Sequence, residues 1–544
     1  ADVSRARTVA SLLALVASLT ISATFDWLPT AGASFLGENW LWFAVTIALM
    51  AVAARFARRL AVSDAKLELP RSKMLAVLLT VALSGGWVMT GVSKGKLPLI
   101  HNWEQFHFYL GAKYQAEVGW FNLYKATIIA DRETVNVLGG TGQTRDLTTF
   151  EQVPIDSVMA EAATVKGRFA PERWEAFKQD WVTMTRLWNI NWTNVINDHG
   201  NSNSPAWAIL AAPLTRLVPL SYEGQAFLGW LDMLLMIGLW LVVWQVFGHR
   251  VASVGLFVWA MEPIVFDYLA GSILRWDWLF SIGLAACFIK LKKYDLAGGF
   301  FGFALATKLF PLFFGVALGV RAVLEWRKTK MFAPEYVKFL RGTVIAGAVT
   351  VALSTAMFGV GAWKEYADRI QVTQTEKFYA IQYSLKTVYL QHAANPVQAW
   401  GQAIFPSDIA QRRADVDIKD YGFGFLLARL LFTALIVVLI RRASDVEAFV
   451  LGPLLVFTWL TVNMYYWNMF GLLALGLAMR AQRQRPALGM LIGLHAIFMV
   501  FYLYQHLNRG LTEGYAVAWM LCALIIGTAW WEWRDSEADA PAKS

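Results

Sequence analysis

Long apolar runs alternate with short basic clusters along nearly the whole chain, and run length decides what each can be. One run follows Arg5 and Arg7 and ends near Thr24; a second extends from about Trp40 to Phe56 and closes on Arg55, Arg58 and Arg59. The first resembles a secretory signal, but basic residues at both ends of the pair fit a retained hairpin of two helices with both ends inside. Arg71 and Lys73 open a third run to about Val92, which sets the polar stretch 97–203 outside. Residues 205–218 are apolar but short and interrupted by Pro213 and Arg216, so a re-entrant or interfacial segment is expected. Charge parity agrees. With 205–218 not crossing, spans near 225–247, 251–267, 275–291, 295–307, 311–324 and 337–358 keep Arg250, Lys290 to Lys293 and Arg327 to Lys330 inside. The spans 295–307 and 311–324 read as a hairpin of helices too short for a full bilayer, with Lys308 and Pro311 at its apex. A second outer loop, 361–421, precedes spans near 422–440, 446–461, 467–479, 487–505 and 515–533. The pattern predicts an all-α polytopic membrane protein with about fourteen crossings, both termini inside and a disordered acidic tail after Arg534.

The first outer segment breaks the monotony. Its opening, His101 to Tyr124, places Glu104, His107, Lys113 and Glu117 among eight aromatic residues. At helical spacing Trp103, Phe106 and Leu110 share one side while Glu104, His107 and Gly111 share another, as in a helix lying in the membrane interface. A helix that merely anchors the loop has the same periodicity. Farther on, Trp174, Phe177, Trp181 and Met184 recur at three or four residues within Pro171 to Trp188, predicting an amphipathic helix of a compact cap. The Gly-Gly-Thr-Gly at 139–142 lacks the strand, Lys-Ser/Thr and helix start of a phosphate loop. Asp198 and His199 lie in a run of turn formers, where a capped turn is favoured over a metal site, which would need additional ligands.

Composition narrows the class. Of 544 residues 57% are hydrophobic and 16% charged, and the mean hydropathy of +0.44 exceeds what a soluble fold can cover. The net charge of +9 is carried by loop clusters that mark orientation, so it points to no nucleic-acid partner. Cys287 and Cys522 sit within apolar runs as packing residues.

On this map the unusual polar residues collect at the outer side: Glu104 and His107; Asp267, Arg275 and Asp277; Lys308; Lys386 and His392; Asn463, Tyr465, Tyr466 and Asn468. Ionisable groups at a membrane are costly and mark function. Lys308 could instead snorkel, Arg275 and Asp277 pair locally, and the tyrosines belong to an aromatic belt.

From about residue 97 to 480 the chain resembles the GT-C superfamily of integral membrane glycosyltransferases, within it the polyprenol-phosphate-mannose-dependent family 87. Trp103-Glu104-Gln105-Phe106-His107-Phe108-Tyr109, followed by Gly119 and Leu123-Tyr124, is similar to the family's acidic and aromatic first-loop motif. SPAWAILAAPL resembles its Pro-rich re-entrant segment, AGGFFGFALATKLFP its glycine helix ending in Lys-x-x-Pro, Gln382 to Leu385 its Asn-Gln-Ser-Leu, and MYYWNMF its Trp-x-His-Tyr stretch. There are departures. Where the family has Asp four residues before the Tyr, this chain has Gln105, with Glu104 one place earlier; the Arg after Ser-Leu falls near Gln391, and the late His is replaced.

The resemblance implies a GT-C-like bundle with a periplasmic cap: a two-helix hairpin (1–72), a catalytic membrane module (73–358, including 97–203), a second outer loop (359–421) and C-terminal helices with a short tail (422–544). It implies inverting transfer of a hexose or pentose from a polyprenyl phosphate to a hydroxyl of a glycolipid, polysaccharide or protein, at the outer face of a bacterial inner membrane. Glu104 would be general base with His107 beside it, and Lys308, Arg275 or Lys386 would neutralise the phosphate. Tyr109, Asp198, His199, Asp267, Asp277, Gln382, Ser384, Tyr465, Tyr466 and Asn468 are further candidates. No cofactor is required, although a divalent metal would be compatible. A transporter or a flippase for lipid-linked sugars is the competing class, since it too sets charges near broken helices; the large cap and the lack of paired repeats weigh against it. A non-catalytic scaffold leaves the Lys308 hairpin unexplained.

Overall fold

The computed structural model describes residues 100–260, 271–375, 384–394, 422–461, 463–508 and 513–538. The expected spans before residue 97, the end of the span at 251–267, and the candidates Asp267 and Gln382 lie outside the described residues, as do 376–383 and 395–421 of the second outer loop.

The described chain is mostly helical, with one two-stranded hairpin in which Gln143–Arg145 runs antiparallel to Gln152–Pro154. Its buried residues form two main apolar clusters. One belongs to the cap and centres on Phe106, Tyr124, Phe177 and Trp181. The other fills the helical body from Met233 to Ala529.

The amphipathic helix of the cap forms as the pattern predicts. Pro171 occupies its first turn, where the missing N–H has no partner to lose. Helix Pro171–Leu187 buries Trp174, Phe177, Trp181 and Met184 while its charged side stays out. The aromatic stretch differs from expectation. It is helical, but it does not lie half-immersed on one face. Helix Asn102–Gln105 runs into a π turn, Phe106–Leu110, in which all five side chains are buried, followed by Gly111–Lys113. Helix Pro205–Leu217 packs against it, and a Cβ at Gly111 would stand 3.5 Å from Asn201 Nδ2 and 3.9 Å from Leu123. Period alone cannot distinguish such a two-sided helix from an interfacial one.

Helix Pro205–Leu217 is capped by Ser204, whose hydroxyl accepts the Trp207 N–H at 3.4 Å, with Pro205 at the first position. At 1.5 Å per residue it is about 20 Å long, too short to cross the hydrocarbon, as expected. Three described helices are long and apolar enough to cross a bilayer: Tyr222–Phe247, Pro334–Phe358 and Gly422–Ile440. The expected spans 487–505 and 515–533 lie within the continuous helices Arg485–Asn508 and Glu513–Ala538, whereas several others are shorter or broken. The span 275–291 becomes helix Asp277–Lys290 of 14 residues. The span 446–461 splits into Asp445–Phe449 and Gly452–Trp459, because Pro453 has no N–H to give the carbonyl four residues back and its ring clashes there, so it can only open a new helix; at Gly452 an added Cβ would stand 2.6 Å from the Phe314 Cα. The hairpin around Lys308 consists of Tyr294–Thr307 and Leu312–Thr329, 14 and 18 residues long; the second outruns its expected length.

The glycines of AGGFFGF have a packing role. A Cβ at Gly298 would fall 1.9 Å from the Phe339 carbonyl oxygen, one at Gly302 2.4 Å from that of Thr343, and one at Gly342 2.1 Å from that of Asp295. Helices Tyr294–Thr307 and Pro334–Phe358 therefore meet backbone to backbone, the small-residue mode by which apolar helices associate without a hydrophobic drive. Gly302→Val should force them apart and destabilise the protein by about 1–3 kcal/mol, read as a lowered melting temperature in detergent. Gly299, where an added Cβ would meet nothing within 4 Å, is the control: Gly299→Ala should not lower it.

Candidate functional site

The loop 271–276 is the frame of the site. Gly271 holds a positive φ of 84°, and its carbonyl accepts the His101 N–H at 3.0 Å and Gln105 Nε2 at 2.7 Å. Trp207 Nε1 donates to the Leu274 carbonyl at 3.0 Å. Asp232, from within helix Tyr222–Phe247, accepts the main-chain N–H groups of Arg275 and Trp276, both at 2.9 Å. The Arg275 side chain is thereby aimed at the aromatic helix.

There it meets Glu104. Arg275 Nη1 lies 2.7 Å from Glu104 Oε2, and its guanidinium stacks 4.3 Å from the Phe108 ring centroid. The candidate base and a candidate phosphate ligand are thus an ion pair. Burial raises the Glu104 pKa above the ordinary carboxylate value, against the positive fields of Arg275 and Lys308, and the nearby Asp198 charge adds to the rise. Lys308, at the end of helix Tyr294–Thr307, joins the same cluster: its charge is felt by Glu104 and by Asp277. It is only 6% exposed; its main-chain N–H donates to the Ala304 carbonyl, while its ammonium makes no hydrogen bond or ion pair among the described residues. Burial, reinforced by Arg275, pulls its ammonium below its usual value although Asp277 and Glu104 oppose this. Asp277 Oδ1 accepts the Trp278 N–H at 2.7 Å, whereas Oδ2 is buried with no hydrogen-bond partner among the described residues.

Aromatic rings wall this cluster. Tyr465 and Tyr466 have centroids 4.8 Å apart, Tyr466 and Phe310 4.9 Å, and Phe310 and Trp278 4.7 Å. Arg275 stands 5.9 Å from the Tyr465 ring, and the Tyr465 hydroxyl accepts Asn463 Nδ2 at 2.6 Å.

His107 is near but committed. Its Nδ1 lies 3.0 Å from the Trp103 carbonyl, which can only accept, so Nδ1 carries the proton; Nε2 then accepts the Tyr124 hydroxyl at 2.7 Å. Burial lowers its pKa, against the Asp198 and Glu104 charges, which raise it. It positions the helix instead of offering a lone pair to an acceptor. Asp198 accepts Trp103 Nε1 at 2.6 Å and lies 3.3 Å from His199 Nδ1. Burial works against its ionisation, but the hydrogen bonds from His199 and Trp103 hold it below the usual range. Fully buried Arg369 fixes that corner, donating to the Leu147 carbonyl at 3.0 Å and to the His199 carbonyl.

Other candidates stand elsewhere or serve packing. The Tyr109 hydroxyl donates to the Val218 carbonyl at 2.8 Å. Gln105 is a buried donor to the 271–276 loop and to the Gln225 carbonyl. Ser384 is buried at the start of helix Leu385–Ala394, its N–H donating to Thr387 Oγ1 at 3.2 Å. Lys386, on that helix, has Arg429 as its charged neighbour, and among the described residues it makes no ion pair with the Glu104 cluster. Asn468 is buried in the turn Met464–Met469, its amide without hydrogen-bond partners among the described residues. Sequence reasoning misses Asp232 and Arg369. Asp232 carries a signal, a lone carboxylate in an apolar 26-residue helix; Arg369, in a charged helix, carries none. Among the described residues no three His, Cys, Asp or Glu side chains gather as for a metal.

No family model matches the chain, and neither do characterised proteins or solved structures.

Proposed function

We propose that this is an integral membrane glycosyltransferase of the GT-C kind, moving a sugar with inversion from a polyprenyl phosphate to an acceptor hydroxyl at the outer interface. The observation that carries the reading is the buried Lys308 ammonium, with no bonded counter-ion among the described residues, beside the Glu104–Arg275 pair. A low-dielectric cation without a partner is matched by an anion that arrives with a ligand. Lys308 binds the donor phosphate, and Arg275 adds positive field while orienting Glu104. The acceptor oxygen gives its proton to Glu104 and attacks the anomeric carbon opposite the phosphate. The carbon–oxygen bond to phosphate breaks, and the electron pair leaves on the phosphate, a leaving group of low basicity that requires no general acid. The polyprenyl tail lies along the lipid-facing helices, and the expected fourteen-crossing topology with the cap outside belongs to the same proposal.

The test incubates purified protein in detergent with a panel of polyprenyl-phosphate sugars and follows release of the polyprenyl phosphate. Lys308→Met should weaken donor binding about tenfold or more, the loss of one charge-assisted contact, with melting unchanged or raised. Unaltered donor affinity would sink the phosphate role.

A further inference from the structure

A second pair of cations stands apart from this cluster. Arg429 lies in helix Gly422–Ile440, one of the three described helices able to cross a bilayer. Its Nη2 donates to the Trp459 carbonyl at 2.8 Å, its guanidinium stacks 4.1 Å from the Phe425 ring, and its buried Nε has no hydrogen-bond partner among the described residues. Helix Leu385–Ala394 packs against the same helix, with Tyr389 and Phe425 ring centroids 5.3 Å apart, and brings Lys386 into the field of Arg429. No carboxylate pairs with either cation among the described residues. Two like charges half-buried together repel one another, and the Lys386 ammonium is held below its usual value by burial and by Arg429.

The surroundings say what kind of anion fits. Leu426 and Leu430, three residues before and one after Arg429, are 44% and 50% exposed, and Leu427 and Leu431 continue that apolar face. A ligand seated on the two cations has its other end against a lipid-facing surface. We propose that Lys386 and Arg429 form a binding site for the phosphate headgroup of an anionic membrane lipid, whose acyl chains lie along Leu426 and Leu430. Basic pockets between membrane helices hold lipid headgroups in this way, and the planar Arg429 fork suits a phosphate. The site is independent of sugar transfer, so neither reading depends on the other.

Native mass spectrometry of the full chain, purified and mixed with phosphatidylglycerol or phosphatidylcholine, tests it. The wild type should retain phosphatidylglycerol preferentially. Lys386→Met and Arg429→Gln should each reduce that retention about tenfold, whereas Arg429→Lys should keep much of it. Lys386 is on a helix surface, so Lys386→Met decides the matter even if Arg429→Gln fails to fold. Equal retention of the two lipids by the wild type, or wild-type retention by Lys386→Met, overturns the site. Displacement of the lipid by millimolar inorganic phosphate would make the ligand a soluble phosphate and overturn the lipid assignment.

Discussion

Glu104→Gln should lower turnover on the order of 10²- to 10⁴-fold, the usual loss when a general base is removed, while donor binding persists. The amide keeps the shape of the side chain, and its oxygen still accepts from Arg275, which sits 2.7 Å away in the native pair. What it loses is the capacity to take the acceptor's proton. The pH profile gives an independent check. A base acts when ionised, so the rate rises with pH through the pKa of Glu104 and falls below it. Because burial raises that pKa, with Asp198 adding to the rise against Arg275, the acid limb should lie at higher pH than for an ordinary glutamate. An active Glu104→Gln together with a dead Asp198→Asn would show the base to be misassigned, since Asp198 is the other carboxylate at the cap side of the cluster.

The largest effect on stability is expected at Arg480. Its Nη2 lies 2.6 Å from Glu532 Oε1, its Nη1 donates to the Leu439 carbonyl at 2.7 Å, and both partners of the ion pair are 3% exposed. One side chain thereby joins helices Phe470–Ala481, Gly422–Ile440 and Glu513–Ala538. Arg480→Met leaves a buried carboxylate without its counter-charge, and breaking such a pair costs about 3–5 kcal/mol. Removing both charges is gentler, because the burial penalty of each disappears with it. Arg480→Met/Glu532→Leu should therefore melt well above the single variant. Thermal unfolding in detergent reads both; a single variant as stable as the wild type would refute the argument.

How much is legible in the sequence follows from what each residue's neighbours reveal along the chain. Glu104, Arg275, Asp277 and Lys308 stand out because a charge among apolar residues is costly wherever the fold puts it, and the structure brings these four together. Helix Pro171–Leu187 is legible because one side of it is dry and the other wet. The aromatic helix is legible as a helix, but its burial is not, because residues on both of the sides that its period distinguishes are covered by protein. Nor does sequence disclose what occupies a side chain: the partners of His107 are Trp103 and Tyr124, and nothing in the spacing shows that both ring nitrogens are taken. The close approach of Gly452 to Phe314 is hidden for the same reason, since the two are far apart in the chain.

The π turn at Phe106–Leu110 bears on how this chain is aligned with others. An α turn closes four residues on and a π turn five, so a helix that gains one residue can absorb it as a π turn with both ends undisturbed. Such a gain leaves the carboxylate facing Arg275 while its distance in number from Tyr109 grows by one. If the chain is a transferase of the proposed kind, a motif with its acid four residues before the tyrosine would fall on Gln105 when lined up on Tyr109 without a gap, and on Glu104 when a single gap is placed inside the turn.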